Sequence, residues 1–342
     1  MTLTYTETRV KGRNIKVPST QINNRTVMVT NTWLKMAAVQ DEELVEGEVV
    51  DNPEVFIGAL KKGILKADIF TFAQHLPDIT PKHRYYFEWD NVAVIPITTF
   101  KDWWMKQSHS LRRDVKRAEK RGVVVRVVEF NDEFVRGIME IYNETPLRQG
   151  RPFWHYRKDF DSVRMETSTY LERSEFLGAY CGDELIGFLK FVRVGRLARL
   201  MFIISKMVHY DKRPTNALIA KAVELCVQRE CSHLTYGNFA YDNDTSTSLV
   251  AFKRRNGFEQ LDFPRYFVPL TMKGKLCLKL KCHHGIKGLI PIKLLNLARG
   301  ARKKVCEAFG RKLKSTLEAE RVPPRGGSSQ TKQTDHIAGD AC

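Results

Sequence analysis

Three apolar runs follow one another between Phe176 and Ser205: Phe176 to Cys181, Leu185 to Val194 and Leu197 to Ser205, turning at Gly182-Asp183-Glu184 and at Val194-Gly195-Arg196. Runs rich in β-branched and aromatic residues with glycine at such short turns must lie antiparallel. A parallel neighbour would need a crossover of roughly a dozen residues or more. The segment is therefore predicted to be a three-stranded meander. Downstream, Ala217, Leu218, Ala222, Leu225 and Cys226 form a helical stripe within Thr215 to Arg229, followed by a strand at His233 to Tyr236, a helix at Thr245 to Asn256 and a strand at Tyr266 to Leu270. Upstream, Val123 to Val128 reads as a strand, Asn131 as the cap of a helix reaching Asn143, and Tyr156 to Leu171 as a second helix. Strand, two helices, meander, helix, strand, helix, strand is the order of an α/β (α+β) domain: one mixed sheet with helices on both faces.

The first hundred residues are less patterned. They suggest a strand at Arg25 to Thr30, a helix at Pro53 to Lys62 opening on proline, and strands near Ile69 and Val92. Trp103 and Trp104 then precede a basic helix, Ser110 to Arg121, in which Arg112, Arg113, Lys116, Arg117, Lys120 and Arg121 recur at helical spacing. Gly122 is placed to end it. The expected division is a 1–109 N-terminal α/β part, a 110–122 connecting helix, a 123–270 domain, a 271–320 basic amphipathic helical extension and a 321–342 disordered tail.

The 342 residues carry a net charge of +17. From Thr271 onward sixteen Lys and Arg face five Asp and Glu, so the excess is concentrated at the C-terminal end. Such a field attracts polyanions, whether tRNA, an anionic membrane surface or a phosphate-bearing donor. Seven scattered cysteines, with no apolar run near the ~18 residues of a membrane span, give the expectation of a cytoplasmic protein, peripheral at most to the inner face of the membrane. Cys277, Cys282, His283 and His284 are zinc-type ligands, but no second pair follows at a recognisable spacing, so no metal is expected.

The derived element order, together with Ala179-Tyr180-Cys181-Gly182-Asp183-Glu184-Leu185-Ile186-Gly187-Phe188 and with Phe252-Lys253-Arg254-Arg255-Asn256-Gly257-Phe258 followed by Pro264-Arg265-Tyr266, resembles the GNAT (N-acetyltransferase) superfamily. More narrowly, Leu111 to Gly122 resembles the element joining the two halves of Fem-type aminoacyltransferases and related GNAT-like proteins of polysaccharide clusters. The resemblance implies that the N-terminal half is a degenerate copy of the same fold. It also implies direct transfer of an acyl group from acetyl-CoA, another acyl-CoA or an aminoacyl-tRNA to an amine or hydroxyl of a cell-envelope or polysaccharide-related acceptor.

By that resemblance the donor lies along Leu197 to Ser205, with Ile204 and Ser205 at its end, and on the turn that follows. Ordinary GNAT enzymes have a glycine-rich loop there; here Met207 to Asn216 contains no glycine. Either Lys212 and Arg213 replace the missing amides, with Thr215 and Asn216 capping the helix, or the donor is not coenzyme A, or the loop is an ordinary solvated turn. Asn238, Lys253 and Arg254 are further donor-side candidates. Tyr236 and Tyr241 are candidates to reprotonate the leaving group, and Glu144 to take a proton from the nucleophile. Arg148, Arg151, Trp154 and His155 combine anion forks with stacking surfaces and are read as the acceptor loop. The competing reading is a non-catalytic polyanion- or membrane-surface-binding protein on a GNAT-like scaffold.

Overall fold

A computed structural model describes residues 2–10, 13–45, 51–148, 150–241 and 245–284. The chain divides into two compact units, Met1–Pro146 with Phe153–Leu289, and Leu147–Pro152 with Ile290–Cys342. In the second unit the described part is a short hairpin, β8 (Leu147–Arg148) against β9 (Arg151–Pro152). The expected amphipathic helices between Ile286 and Leu317 and the tail from Val322 lie outside the described residues.

The first unit is built on one sheet of twelve strands. Its N-terminal part contains β1 (Thr4–Val10), β2 (Arg13–Ile22), β3 (Arg25–Thr30), β4 (Met36–Val39), helix α1 (Pro53–Lys62), β5 (Ile69–Ala73) and β6 (Tyr86–Pro96). Two helices follow, α2 (Phe100–Lys106) and α3 (His109–Lys120). Then come β7 (Val123–Val127), α4 (Asp132–Asn143), α5 (Phe160–Thr167), β10 (Ser174–Cys181), β11 (Glu184–Val194), β12 (Leu197–Ser205), α6 (Pro214–Gln228), β13 (His233–Thr235), α7 (Ser248–Arg255), β14 (Glu259–Pro269) and α8 (Met272–Lys279). The sequence-derived order is thus realised.

Local chemistry sets the helix starts. Ser108, Asn131, Asp159 and Thr247 each accept an amide hydrogen two or three positions into α3, α4, α5 and α7 respectively, satisfying donors that a helix leaves unpaired. Gly122, at φ +75°, turns the chain out of α3 into β7. The helix expected from Tyr156 begins later, at Phe160, because Tyr156 N bonds back to Phe153 O and Arg157 sits at φ +64°. The sequence reading missed β1, β2 and β4, and β14 is far longer than the Tyr266 to Leu270 strand expected.

The strand order β1-β2-β3-β4-β5-β14-β6-β13-β12-β11-β10-β7 is the same pattern read from either edge. In each half a meander (β2-β3-β4, β10-β11-β12) leads through a crossover helix (α1, α6) to a strand parallel to the meander's last (β5, β13). The closing strands are exchanged. β6 pairs with β13 of the later half and β14 with β5 of the earlier one, and the two meet antiparallel at the centre, Glu259 opposite Val94 through Phe267 opposite Tyr86. The N-terminal part therefore repeats the strand order of the second half and joins it through the middle of one sheet. A boundary at residue 270 leaves β14 with the later half in sequence, although it pairs with β5 of the earlier one.

The core lies on both faces of the second half. Leu177, Leu189, Phe191, Ala198 and Leu200 pack with Leu218, Ala222 and Val223 of α6 on one face. Phe176, Leu185 and Phe188 pack with Phe134, Ile138 and Tyr142 of α4 on the other. These alternating positions fix the register of β10 to β12, since a one-residue slip would exchange the two faces.

Candidate active site

β12 and β13 are parallel but paired only over Leu197–Arg199 and His233–Thr235. Beyond that point they diverge. β12 continues along β11 to Ser205, while Tyr236 N bonds to Ala93 O of β6 and Gly237, at φ +52°, turns the chain away. The result is a V-shaped opening in the sheet. At its mouth β12 is bulged: Leu200 faces Phe191 and Phe202 faces Lys190, leaving Met201 as the extra residue. A bulge frees a backbone amide from the ladder and re-aims it. Gly187 is required opposite the strand's end, because a Cβ there would stand 2.8 Å from Ser205 Oγ.

The connection after β12 is a 3-10 turn, Met207–Lys212, and its amides are engaged. Glu144 accepts from Met207 N at 2.6 Å through Oε2 and from Val208 N at 2.8 Å through Oε1. Lys206 N donates to Ile186 O and Arg213 N to Tyr210 O. Glu144 thus clamps the loop with a carboxylate placed where a phosphate-binding loop would offer bare N–H groups. Thr215 and Asn216 do not cap α6, which starts earlier with Pro214 in its first turn and Arg213, at φ +58°, as the cap residue without a side-chain bond. Their side chains instead meet Ser205 (Oγ to Oγ1, 2.8 Å) and Asn256 (2.8 Å). Lys212 Nζ lies 3.0 Å from Cys181 Sγ. The Arg213 guanidinium lies over the Tyr210 ring and 3.6 Å from Asp114 of α3.

α3 stands directly beside this connection, tied to it by the Arg213–Asp114 and Arg121–Asp211 pairs. Leu111 and Ala118 bury one side of the helix in the core. His109, Arg112, Arg113, Lys116, Arg117, Lys120 and Arg121 line a groove of about 1150 Å³ together with Trp104. Among the described residues Arg112, Arg113, Lys116, Arg117 and Lys120 have no ion-pair partner, so their charge faces outward.

On the other arm of the V, Lys253 of α7 is only 1% exposed. Its Nζ donates to Asn238 O and lies 4.8 Å from the Tyr236 ring centre and 5.5 Å from that of Tyr241. Burial, with the nearby charge of Arg199 adding to it, pushes its ammonium down to about 8. Burial, then the Tyr241 phenol, pushes Tyr236 up to about 12 and keeps it protonated. Arg254 points outward across Phe239.

Where the two halves meet, a cleft of about 670 Å³ opens among Glu42, Glu43, Gln74, His75, Asp90, Arg199, Asn238 and Arg265. Arg265 bridges Glu42 and Asp90 at 3.0 Å each, Arg199 pairs with Glu43 at 2.8 Å, and Asn238 Nδ2 donates to Asp90 at 3.0 Å. Burial pushes the His75 imidazole down, toward its neutral form. Both arginines are thus paired with carboxylates, and Asn238 joins the cleft to the Lys253 arm.

These features are those of an acyl-transfer fold, and comparison with known proteins agrees. Residues 105–253 match the family described as Acetyltransferase (GNAT) domain. Residues 105–253 thus form a GNAT domain. FemX shares the fold over 81% of this chain and 90% of its own, with a TM-score of 0.54 and 10% identity. Weaker likenesses include L-PGS from Bacillus licheniformis (TM-score 0.49, 12% identity, 80% and 90% covered). Another is the C-terminal domain of a putative lysylphosphatidylglycerol synthetase from Agrobacterium fabrum (TM-score 0.46, 15% identity, 76% and 86% covered). No curated protein matches the sequence.

Within this GNAT acyltransferase domain the structure brings Ser205, Thr215, Lys212, Arg213 and Asn216 together around the loop, and Tyr236, Asn238, Tyr241 and Lys253 at the facing arm. Arg148 and Arg151 pair across the β8–β9 hairpin of the other compact unit. His155, 3% exposed, packs into the α4 core against Tyr142 (ring centres 4.1 Å apart), so its role is packing rather than contact with an incoming molecule. Trp154 is half exposed, with the Lys158 ammonium over its ring. Sequence reasoning missed the cleft residues Glu42, Glu43, Asp90, Arg199 and Arg265. The only signal was an arginine, Arg199, at an alternating position inside an otherwise apolar strand.

Proposed function

We propose that this GNAT protein transfers an aminoacyl group from an aminoacyl-tRNA to an amine or hydroxyl of a cell-envelope or polysaccharide-related acceptor. The observation that carries the reading is the Glu144 clamp. A carboxylate already bonded to the amides of Met207 and Val208 repels the pyrophosphate of coenzyme A and occupies both of those N–H groups. The unpaired cations of α3, next to the same loop, suit a donor whose phosphates form a backbone.

In this reading the acyl group lies in the V against the Met201 bulge, and the acceptor enters through the central cleft. The nucleophile adds to the acyl carbonyl and the bond to the ribose oxygen breaks. The Lys253 ammonium stabilises negative charge on the developing oxyanion, and Tyr236 protonates the departing oxygen, taking back the proton the acceptor releases. An acyl-CoA donor is the second reading, favoured by Lys212 and Arg213 at the entrance to α6. The test is binding of charged tRNA and of acetyl-CoA to the intact chain, with and without Glu144→Ala. The proposal expects tRNA binding that weakens steeply with salt and no acetyl-CoA binding by the native chain. Salt-resistant acetyl-CoA binding by the native chain would replace it with the second reading.

A further inference from the structure

The 3-10 turn Cys282–His284 follows α8 and brings two imidazoles onto one carboxylate of the central strand β6. His283 Nε2 lies 3.0 Å from Glu88 Oε1, and His284 Nε2 lies 2.7 Å from Glu88 Oε2. One ligand atom from each of the three residues falls within a sphere in which none is more than 4.8 Å from another. Around a tetrahedral zinc, with bonds of about 2.0 to 2.2 Å, donor atoms stand roughly 3.4 Å apart. Small side-chain adjustments take the present spacing to that value.

The site is built rather than incidental. The His283 side chain is 1% exposed, held between the Phe267 ring (centres 4.8 Å apart), the edge of Tyr86 (6.2 Å) and the His284 ring (4.0 Å). Glu88 is oriented in turn by the Tyr86 hydroxyl, which donates to Oε1 at 2.6 Å. That is the outer-sphere contact that aims a ligating carboxylate. His284 is half exposed, leaving a route for an ion and for a water as fourth ligand.

We infer that Glu88, His283 and His284 bind a zinc ion that fastens the segment from α8 to His284 onto the centre of the sheet. Two imidazoles and a carboxylate form a borderline N2O donor set that suits zinc better than the hard cations, which prefer oxygen. Cys277 and Cys282, the thiols that the sequence placed beside these histidines, are not part of the cluster. The third ligand comes from a strand 195 residues earlier, which is why local spacing argued against a metal.

The test uses the full chain, stripped with a chelator and titrated with Zn(II) while metal content and thermal stability are followed, with Co(II) as a spectroscopic substitute. One zinc per chain is expected, with a rise in melting temperature of several degrees at saturating zinc and, with cobalt, the visible absorption of a four-coordinate site. His284→Ala, at a half-exposed position, should fold with the melting temperature of the stripped native chain and bind zinc at least 100-fold more weakly. Glu88→Gln should do the same to binding. Failure of the native chain to bind zinc would overturn the proposal. So would unchanged stoichiometry in both variants, which would place the ion on other histidines or on the thiols.

Discussion

The two halves of the sheet follow one strand order but carry different elements between the strands. In the later half α4 and α5 lie between the first and second strands, the meander ends in the nine-residue bulged β12, and α7 follows β13. In the earlier half β1 runs almost directly into β2, the strand equivalent to β12 is the four-residue β4, and residues 74–85 replace the helix equivalent to α7. Among its described residues the earlier half therefore has no counterpart of the long diverging strand β12 or of the helix that carries the buried Lys253. It retains what the sheet needs, apolar strands and an exchanged closing strand, together with the acids Glu42 and Glu43 that it contributes to the cleft. The two halves thus share one strand order, and both supply walls of the central cleft.

The sharpest way to break this contrast is Lys253→Met, which keeps the volume and removes the charge. It should lower kcat by about 100-fold or more, in line with the loss of one oxyanion donor, with KM for the acceptor little changed. Replacing Arg112, Arg113, Lys116 and Arg117 with alanine should weaken tRNA binding and reduce the slope of log affinity against log salt by about 1 for each phosphate no longer neutralised. Equivalent changes to Lys61 and Lys62 of α1, on the earlier half, should leave both quantities unmoved.

At the join of the halves, Arg265→Met leaves Glu42 and Asp90 facing each other without their shared cation. A loss of about 2 kcal/mol is expected in denaturant unfolding, below the range for a fully buried pair because the arginine is only half-buried. The smallest effect is on the pH profile of stability. Burial holds Lys190 and Lys253 at about 8, below their unfolded value, so between pH 8 and about 10 the unfolded chain binds more protons and stability rises with pH. Tyr85, Tyr86 and Tyr236, raised to about 12, reverse the trend above about pH 10, where the unfolded phenols ionise first. Lys190→Met should flatten the rise.

Much of the later half was legible in the sequence because its strands alternate apolar residues under tight turns. β12 begins and ends where the turn glycine and the loss of apolar residues placed it. β1 and β2 were not legible. Their faces carry threonine, glutamate, lysine and asparagine, and at the edge of a sheet only backbone pairing marks them as strands. The loop after β12 stood out in the sequence by its missing glycines, yet the Glu144 carboxylate that bonds its first amides comes from the end of α4, more than sixty residues earlier. His155 was misjudged because an imidazole beside tryptophan looks the same in sequence whether it faces solvent or the core.

Central to the proposed donor is Glu144, which occupies the amides that a coenzyme A pyrophosphate would use. The most direct measurement is calorimetric titration of acetyl-CoA into the native chain and into Glu144→Ala, at moderate and at high salt. No binding by the native chain is expected, and measurable binding once the carboxylate is removed and the amides of Met207 and Val208 are freed. Binding by the native chain that Glu144→Ala abolishes would contradict this, since Glu144 would then be shaping a coenzyme A site rather than closing one.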